Sequence, residues 1–161
     1  MRNLSYLKLL ELTECNDLKR IPPDLLSSLS HLEELYIFGV DVKWKPMEEE
    51  EEKKGANASL TELMSLPYFV VLKIQIPNIK VLPKDLPFKN EIIKFQIVTR
   101  CDEIVEINDY LFKNDGLFKN SLELAKCDVS DIAESRTLLQ LLMKSEILKL
   151  EEIKDVKKHC V

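Results

Sequence analysis

Apolar positions in this chain recur in a fixed grouping. Leu4, Leu7, Leu10 and Leu12 follow the spacing LxxLxxLxL, and Cys15, Leu18 and Ile21-Pro22 continue it at steps of three. The first four positions return 25 residues later as Leu29, Leu32, Leu35 and Ile37. Leu66, Phe69, Leu72 and Ile74 form a third copy, closed by Ile79 and Leu82-Pro83. Ile92, Phe95 and Ile97 form a fourth, and Leu122, Leu124 and Cys127 a fifth. A sixth consists of Leu142, Leu148 and Leu150, continued by Ile153 and Val156. With Leu10, Leu35, Leu72, Phe95, Leu122 and Leu148 as equivalents, the steps are 25, 37, 23, 27 and 26 residues.

Each LxL core predicts a short strand whose alternate side chains point into a core. Ordering one repeat costs about 1–2 kcal/mol per residue in backbone entropy. Burying its five or six aliphatic side chains returns about 1.5–3 kcal/mol each. A lone repeat therefore does not fold, and stacking on neighbours is required. A period of roughly 20–29 residues with this spacing is that of leucine-rich repeats. The expected fold is thus α/β, a leucine-rich-repeat solenoid. Its parallel sheet curves along the concave face, with short helices, 3-10 turns and irregular loops on the convex face. Residues 1–161 are expected to form one domain of about six irregular repeats. A helical bundle is opposed by Pro22-Pro23, Pro67, Pro77, Pro83 and Pro87, which interrupt any long helix. Short convex helices are expected at Asp24–Leu29 and Ala133–Lys144.

The step of 37 contains an insertion, 41–58, holding Glu48 to Glu52 followed by Lys53-Lys54-Gly55. Like charges in a run repel and stay solvated, so this reads as a surface loop. The pattern lapses again over 99–118.

Register then predicts which side chains face outward. One column reads Glu11, Tyr36, Lys73, Gln96, Glu123, Lys149; a second reads Leu9, Glu34, Val71, Lys94, Ser121, Ile147; a third reads Thr13, Phe38, Gln75, Val98, Ala125, Glu151. The expected partner contacts on the concave face are Glu11, Glu34, Tyr36, Phe38, Lys73, Gln75, Lys94, Gln96, Glu123 and Lys149. Tyr36 and Phe38 form an outward aromatic pair, and exposed aromatics are favoured interface anchors. The alternative is that the insertion, with Trp44, folds over them. Cys15 and Cys127 fall three residues after the second strand leucine, where a side chain turns inward and hydrogen-bonds backbone.

Composition narrows the chemistry. A net charge of −5 disfavours nucleic acid or an acidic membrane surface as partner. Only three glycines occur, far apart, so no phosphate-cradling loop is present. Cys15, Cys101, Cys127 and Cys160 are widely spaced, without a metal-ligand pattern, and read as free thiols of a reducing compartment. No Ser/His/Asp set or carboxylate pair converges. Binding without catalysis, cofactor, metal or small-molecule substrate is expected. No apolar run reaches the roughly 20 residues of a membrane helix. Without a signal peptide, a cytoplasmic location is expected, which leaves the sequons at Asn3 and Asn57 unused.

Leu12-Thr13-Glu14-Cys15-Asn16-Asp17-Leu18 with Ile21-Pro22 resembles the repeats of plant intracellular nucleotide-binding leucine-rich-repeat receptors. Ile21-Pro22-Pro23-Asp24, Leu29 to Tyr36, Ala56 to Leu63, Ile74 to Pro77 and Leu82 to Lys89 are similar to the coiled-coil-type disease resistance proteins. The likeness spans about residues 3–97 and returns over Glu134–Val156. Cell-surface plant receptors typically carry a glycine before Ile-Pro; Leu18-Lys19-Arg20-Ile21-Pro22 has none.

The resemblance implies a protein-interaction module in defence against pathogens. Its implied partners are a pathogen effector, a guarded host protein or the switch domain of a parent receptor. The family's signalling segment and nucleotide-binding domain have no counterpart here, so nucleotide binding is not carried over. Two alternatives stand beside this: a truncated receptor remnant, and a leucine-rich-repeat scaffold unrelated to immunity. The leucines of the terminal repeats lack polar caps, which predicts marginal stability and self-association.

Overall fold

The computed structural model of the chain describes residues 4–45, 57–85, 94–99 and 119–154. Six strands are formed: β1 Leu9–Glu11, β2 Glu34–Ile37, β3 Val71–Ile76, β4 Lys94–Thr99, β5 Ser121–Ala125 and β6 Ile147–Glu151. They build one open parallel sheet in chain order, β1 to β6. The architecture is α/β with few helices, an arrangement compatible with a solenoid. Every strand descends from one of the leucine groups. The inward side chains of β2 to β5, including Leu35, Leu72, Phe95 and Leu122, are buried in one continuous core.

The opposite wall of that core is the returning chain. It contains 3-10 turns at Leu60–Ser65 and Ile79–Val81, then α1, Val129–Glu134, and α2, Arg136–Lys144. Leu26, Leu29, Leu60, Leu63, Ile79, Leu138 and Leu141 project from it into the core. The helix expected over Ala133–Lys144 is split at Ser135. That residue is extended (φ −96°, ψ 106°) and accepts a hydrogen bond from the Leu138 N–H to start α2. No helix forms at Asp24–Leu29, where consecutive turns follow Pro22-Pro23. Asp24 has φ 63°, in the left-handed region, which a right-handed helix excludes.

The Glu62 carboxylate holds these turns in place. It accepts hydrogen bonds from the backbone N–H groups of Asp24 (3.0 Å), Leu26 (3.0 Å) and Ser27 (3.3 Å). It also closes a capping box by accepting from the Ser59 N–H at 3.3 Å. One side chain thus ties two successive return segments together.

Corners recur as well. Glu14, Gly39, Lys126 and Glu152 all have positive φ (58°, 64°, 54° and 51°), each four residues after a core-facing leucine of β1, β2, β5 or β6. In β3 the position four after Leu72, Ile76, is instead the last residue of the strand, and it pairs with Thr99, the last residue of β4. The residue after the corner turns inward at Val40 and Cys127, and the Cys127 thiol donates to the Ala125 carbonyl at 3.2 Å. Cys15 departs from the expectation and is exposed. It follows β1, and no further strand pairs beyond β1 among the described residues.

The register between β4 and β5 corrects the sequence alignment. Leu122 pairs with Ile97, not Phe95, so the true step there is 25 residues. Two side chains set this register. Asn120 Oδ1 accepts from the Phe95 N–H at 3.0 Å, and the Thr99 hydroxyl oxygen accepts from the Ala125 N–H at 2.7 Å. A slip of two residues keeps every side chain on its own face, so alternation could not reveal it.

The insertion is clasped at its base. The Lys45 N–H donates to the Ala58 carbonyl at 3.0 Å, and the Ala58 N–H donates to Ile21 at 2.8 Å. Trp44 is buried in the main core. The acidic run Glu48 to Glu52 lies outside the described residues, as do Cys101, Cys160 and all of the irregular stretch except Thr99.

Candidate functional site

The outward face of the sheet carries the predicted contacts. One observed column is Glu11, Tyr36, Lys73, Gln96, then Ser121 and Ile147. Glu123 and Lys149, expected in that column, instead continue the one through Gln75 and Val98. Glu34 and Lys94 share the column of Leu9 and Val71, as expected.

Exposure divides this face. In the middle of the sheet Val71, Lys73, Gln96, Val98, Ser121 and Glu123 are all buried. On β1 and β2 the face opens: Leu9 and Glu11 are exposed, and Glu34 and Tyr36 are half-buried; Lys94, at the start of β4, is exposed, and Gln75 of β3 is half-buried. Lys149 is exposed at the other end and reaches Glu123 Oε2 at 3.5 Å. Phe38 corrects an expectation. It is only 4% exposed, so of the expected aromatic pair only Tyr36 is accessible. Trp44 is buried in the core, and residues 46–56 of the insertion lie outside the described residues.

Around Tyr36 the side chains form a charged cluster. Its hydroxyl donates a short hydrogen bond to the Glu34 carboxylate. The Lys73 ammonium lies over its ring, 4.8 Å from the centroid, an attraction of about 0.5–2 kcal/mol. Burial, the Glu34 hydrogen bond and the nearby Glu34 and Glu11 charges push the Tyr36 phenol well above its usual range. Burial lowers the Lys73 ammonium against the opposing pull of Glu11 and Glu34, and Lys94 lowers it further. Tyr36 thus stays a phenol donating to Glu34. The cluster offers two carboxylates, one ring and the exposed Lys94, an assortment suited to recognising a mixed polar surface. Gln75 Oε1 accepts from the Gly39 N–H at 3.4 Å and fixes the corner beside it.

A second feature escaped the sequence reading. Tyr6, His31 and Tyr68 occupy equivalent positions three residues before Leu9, Glu34 and Val71. Their rings stack, with centroids 5.2 Å and 5.8 Å apart. His31 Nδ1 lies 2.7 Å from the Ser5 carbonyl, which requires the proton on that nitrogen. The signal was available as aromatic residues at one repeat offset.

Among the described residues no group of three or more His, Cys, Asp or Glu is placed to hold a metal ion. None of their helices is long and apolar enough to cross a membrane. No protein-family model, no curated protein and no solved structure matches this chain.

Proposed function

We propose that the stack is a leucine-rich-repeat solenoid acting as the protein-interaction module of a plant immune receptor of the coiled-coil, nucleotide-binding class. It works in the cytoplasm by binding, without catalysis. The observation that carries the reading is the parallel pairing of six strands in chain order, with the repeated apolar side chains in inward columns: Leu10, Leu35, Leu72 and Phe95 in one, and Ile37, Ile74, Ile97, Leu122 and Leu148 in the next. In such a solenoid the outward strand face is the concave one. Its accessible part includes Leu9, Glu11, Glu34, Tyr36, Gln75 and Lys94, with Lys149 at the far end. The partner is a protein surface of mixed charge: an effector, a guarded host protein or a receptor's switch domain.

Co-precipitation of the chain with nucleotide-binding switch domains of this receptor class tests the proposal. Binding is expected, with loss in Glu34→Ala/Tyr36→Ala, where both side chains are accessible and the core is untouched. Undiminished binding in that variant moves the contact off this face. Failure to bind switch domains, effectors or guarded proteins alike removes the immune reading.

A further inference from the structure

Among the described residues, the two outer strands leave complementary edges. In β1, Lys8, Leu10 and Leu12 direct their backbone groups toward β2: the Leu12 N–H donates to Tyr36 and the Lys8 carbonyl accepts from Glu34. By alternation, Leu9 and Glu11 direct theirs to the unpaired edge. In β6, Ile147 and Glu151 bond back toward the β5 side, through Asn120 and Lys126. Leu148 and Leu150 therefore face the opposite free edge. This is the same phase in which Leu10 and Leu12 meet β2. The inward side chains of β6 also lack cover: Leu148 is 48% and Leu150 53% exposed.

We infer that β6 of one copy of this chain pairs in parallel with β1 of a second copy, Leu148 opposite Leu10. This continues the sheet head to tail. The register places Leu150 against Leu12 and Ile147 against Leu9, so apolar meets apolar on both faces. It also sets Lys149 opposite Glu11 and Glu146 opposite Lys8. Within the chain the equivalent pair, Lys8 and Glu33, forms an ion pair at 2.8 Å. Lys144 falls in register with Tyr6, whose ring is 79% exposed. A shift of one residue would turn every leucine to the wrong face. A shift of two would set Lys149 opposite Leu9 or Thr13 and lose the charge match. The contact joins different surfaces, so it is heterologous and open-ended. It requires nothing of the receptor reading.

Sedimentation of the 161-residue chain over a dilution series, with far-UV circular dichroism as the folding control, tests it. The unaltered chain is expected to pass from monomer through dimer to longer assemblies as concentration rises. Glu11→Pro removes an N–H at the β1 edge without touching the β1–β2 ladder. Leu148→Lys/Leu150→Lys places lysines on the β6 edge. Each folded variant alone is expected to be a monomer, and an equimolar mixture is expected to stop at the dimer, since each chain keeps one competent edge. Glu11→Lys leaves the backbone as it is and turns an attraction into a repulsion, weakening association roughly tenfold. The proposal is overturned by a chain that stays monomeric, by either edge variant forming dimers alone, or by a mixture that does not associate. Should an edge variant lose its circular dichroism, Glu11→Lys decides, and unaltered association there also overturns the proposal.

Discussion

Leu72 and Leu148 are the same residue type on the same inward face of one sheet, yet they live in different surroundings. Leu72 sits in β3 with paired strands on both sides and is buried; Leu148 sits in β6 with a strand on one side and is half exposed. The middle of the sheet also buries its outward face, where Lys73 is 7% and Glu123 4% exposed. The ends leave even inward leucines open. In an open parallel sheet, a strand's place in the order decides what its side chains contribute. A middle strand has two neighbours and, among the described residues, an outer one has one.

The sharpest test is a pair of truncations. Leu72→Ala is expected to lower unfolding stability by about 2–5 kcal/mol, and Leu148→Ala by less than about 1 kcal/mol, because half of its surface is already in water. Urea unfolding measures both, and equal losses would break the comparison. Glu62→Ala is expected to fall between them, at about 2–3 kcal/mol, through loss of charge-assisted hydrogen bonds to the turns at Asp24, Leu26 and Ser27. Glu62→Gln keeps one acceptor oxygen and should recover part of that loss.

Smaller effects come from the cluster bridging open and closed parts of the face. The folded state holds the proton on Tyr36 more tightly than the unfolded chain, whose ordinary value is 10.0. Its contribution is therefore complete below pH 10 and declines as pH rises above it. Spectrophotometric titration should show one tyrosine ionising late. Glu34→Gln should bring it down, but not to the ordinary value, because burial remains the largest cause. Lys73 acts with the opposite sign. Its folded-state affinity for a proton is lowered from 10.5. The unfolded chain thus binds more protons just below that value, and stability rises with pH there. Lys73→Met should flatten that rise, the smallest of these effects. A steeper rise would mean that the ring contact outweighs burial.

The leucine columns made the strands legible in the sequence, because burial of one face imposes period two and the repeat imposes the spacing. The β4–β5 register was hidden because a two-residue slip preserves alternation, and it is set by two polar side chains, Asn120 and Thr99. The capping motif Ser59-x-x-Glu62 could be read locally, but its hold on residues about 36 positions earlier is a tertiary fact. Burial of Phe38 was not legible because it lies just past the end of β2, and, like the outward Val71 and Val98, it is buried without belonging to the main core cluster. Outward positions such as Lys73 and Glu123 were legible in direction but not in depth. How far a charged side chain is enclosed depends on neighbours in other repeats.

The clasp at the base of the insertion has an engineering consequence. Lys45 and Ala58 are joined by a backbone hydrogen bond, and Ala58 is tied in turn to Ile21. The span between them is closed whatever its length. Lengthening a closed loop adds only about 0.6 kcal/mol per doubling. That junction is accordingly a port where an epitope, a fluorophore-labelling peptide or a small folded domain could be spliced in while the leucine stack on either side keeps its register.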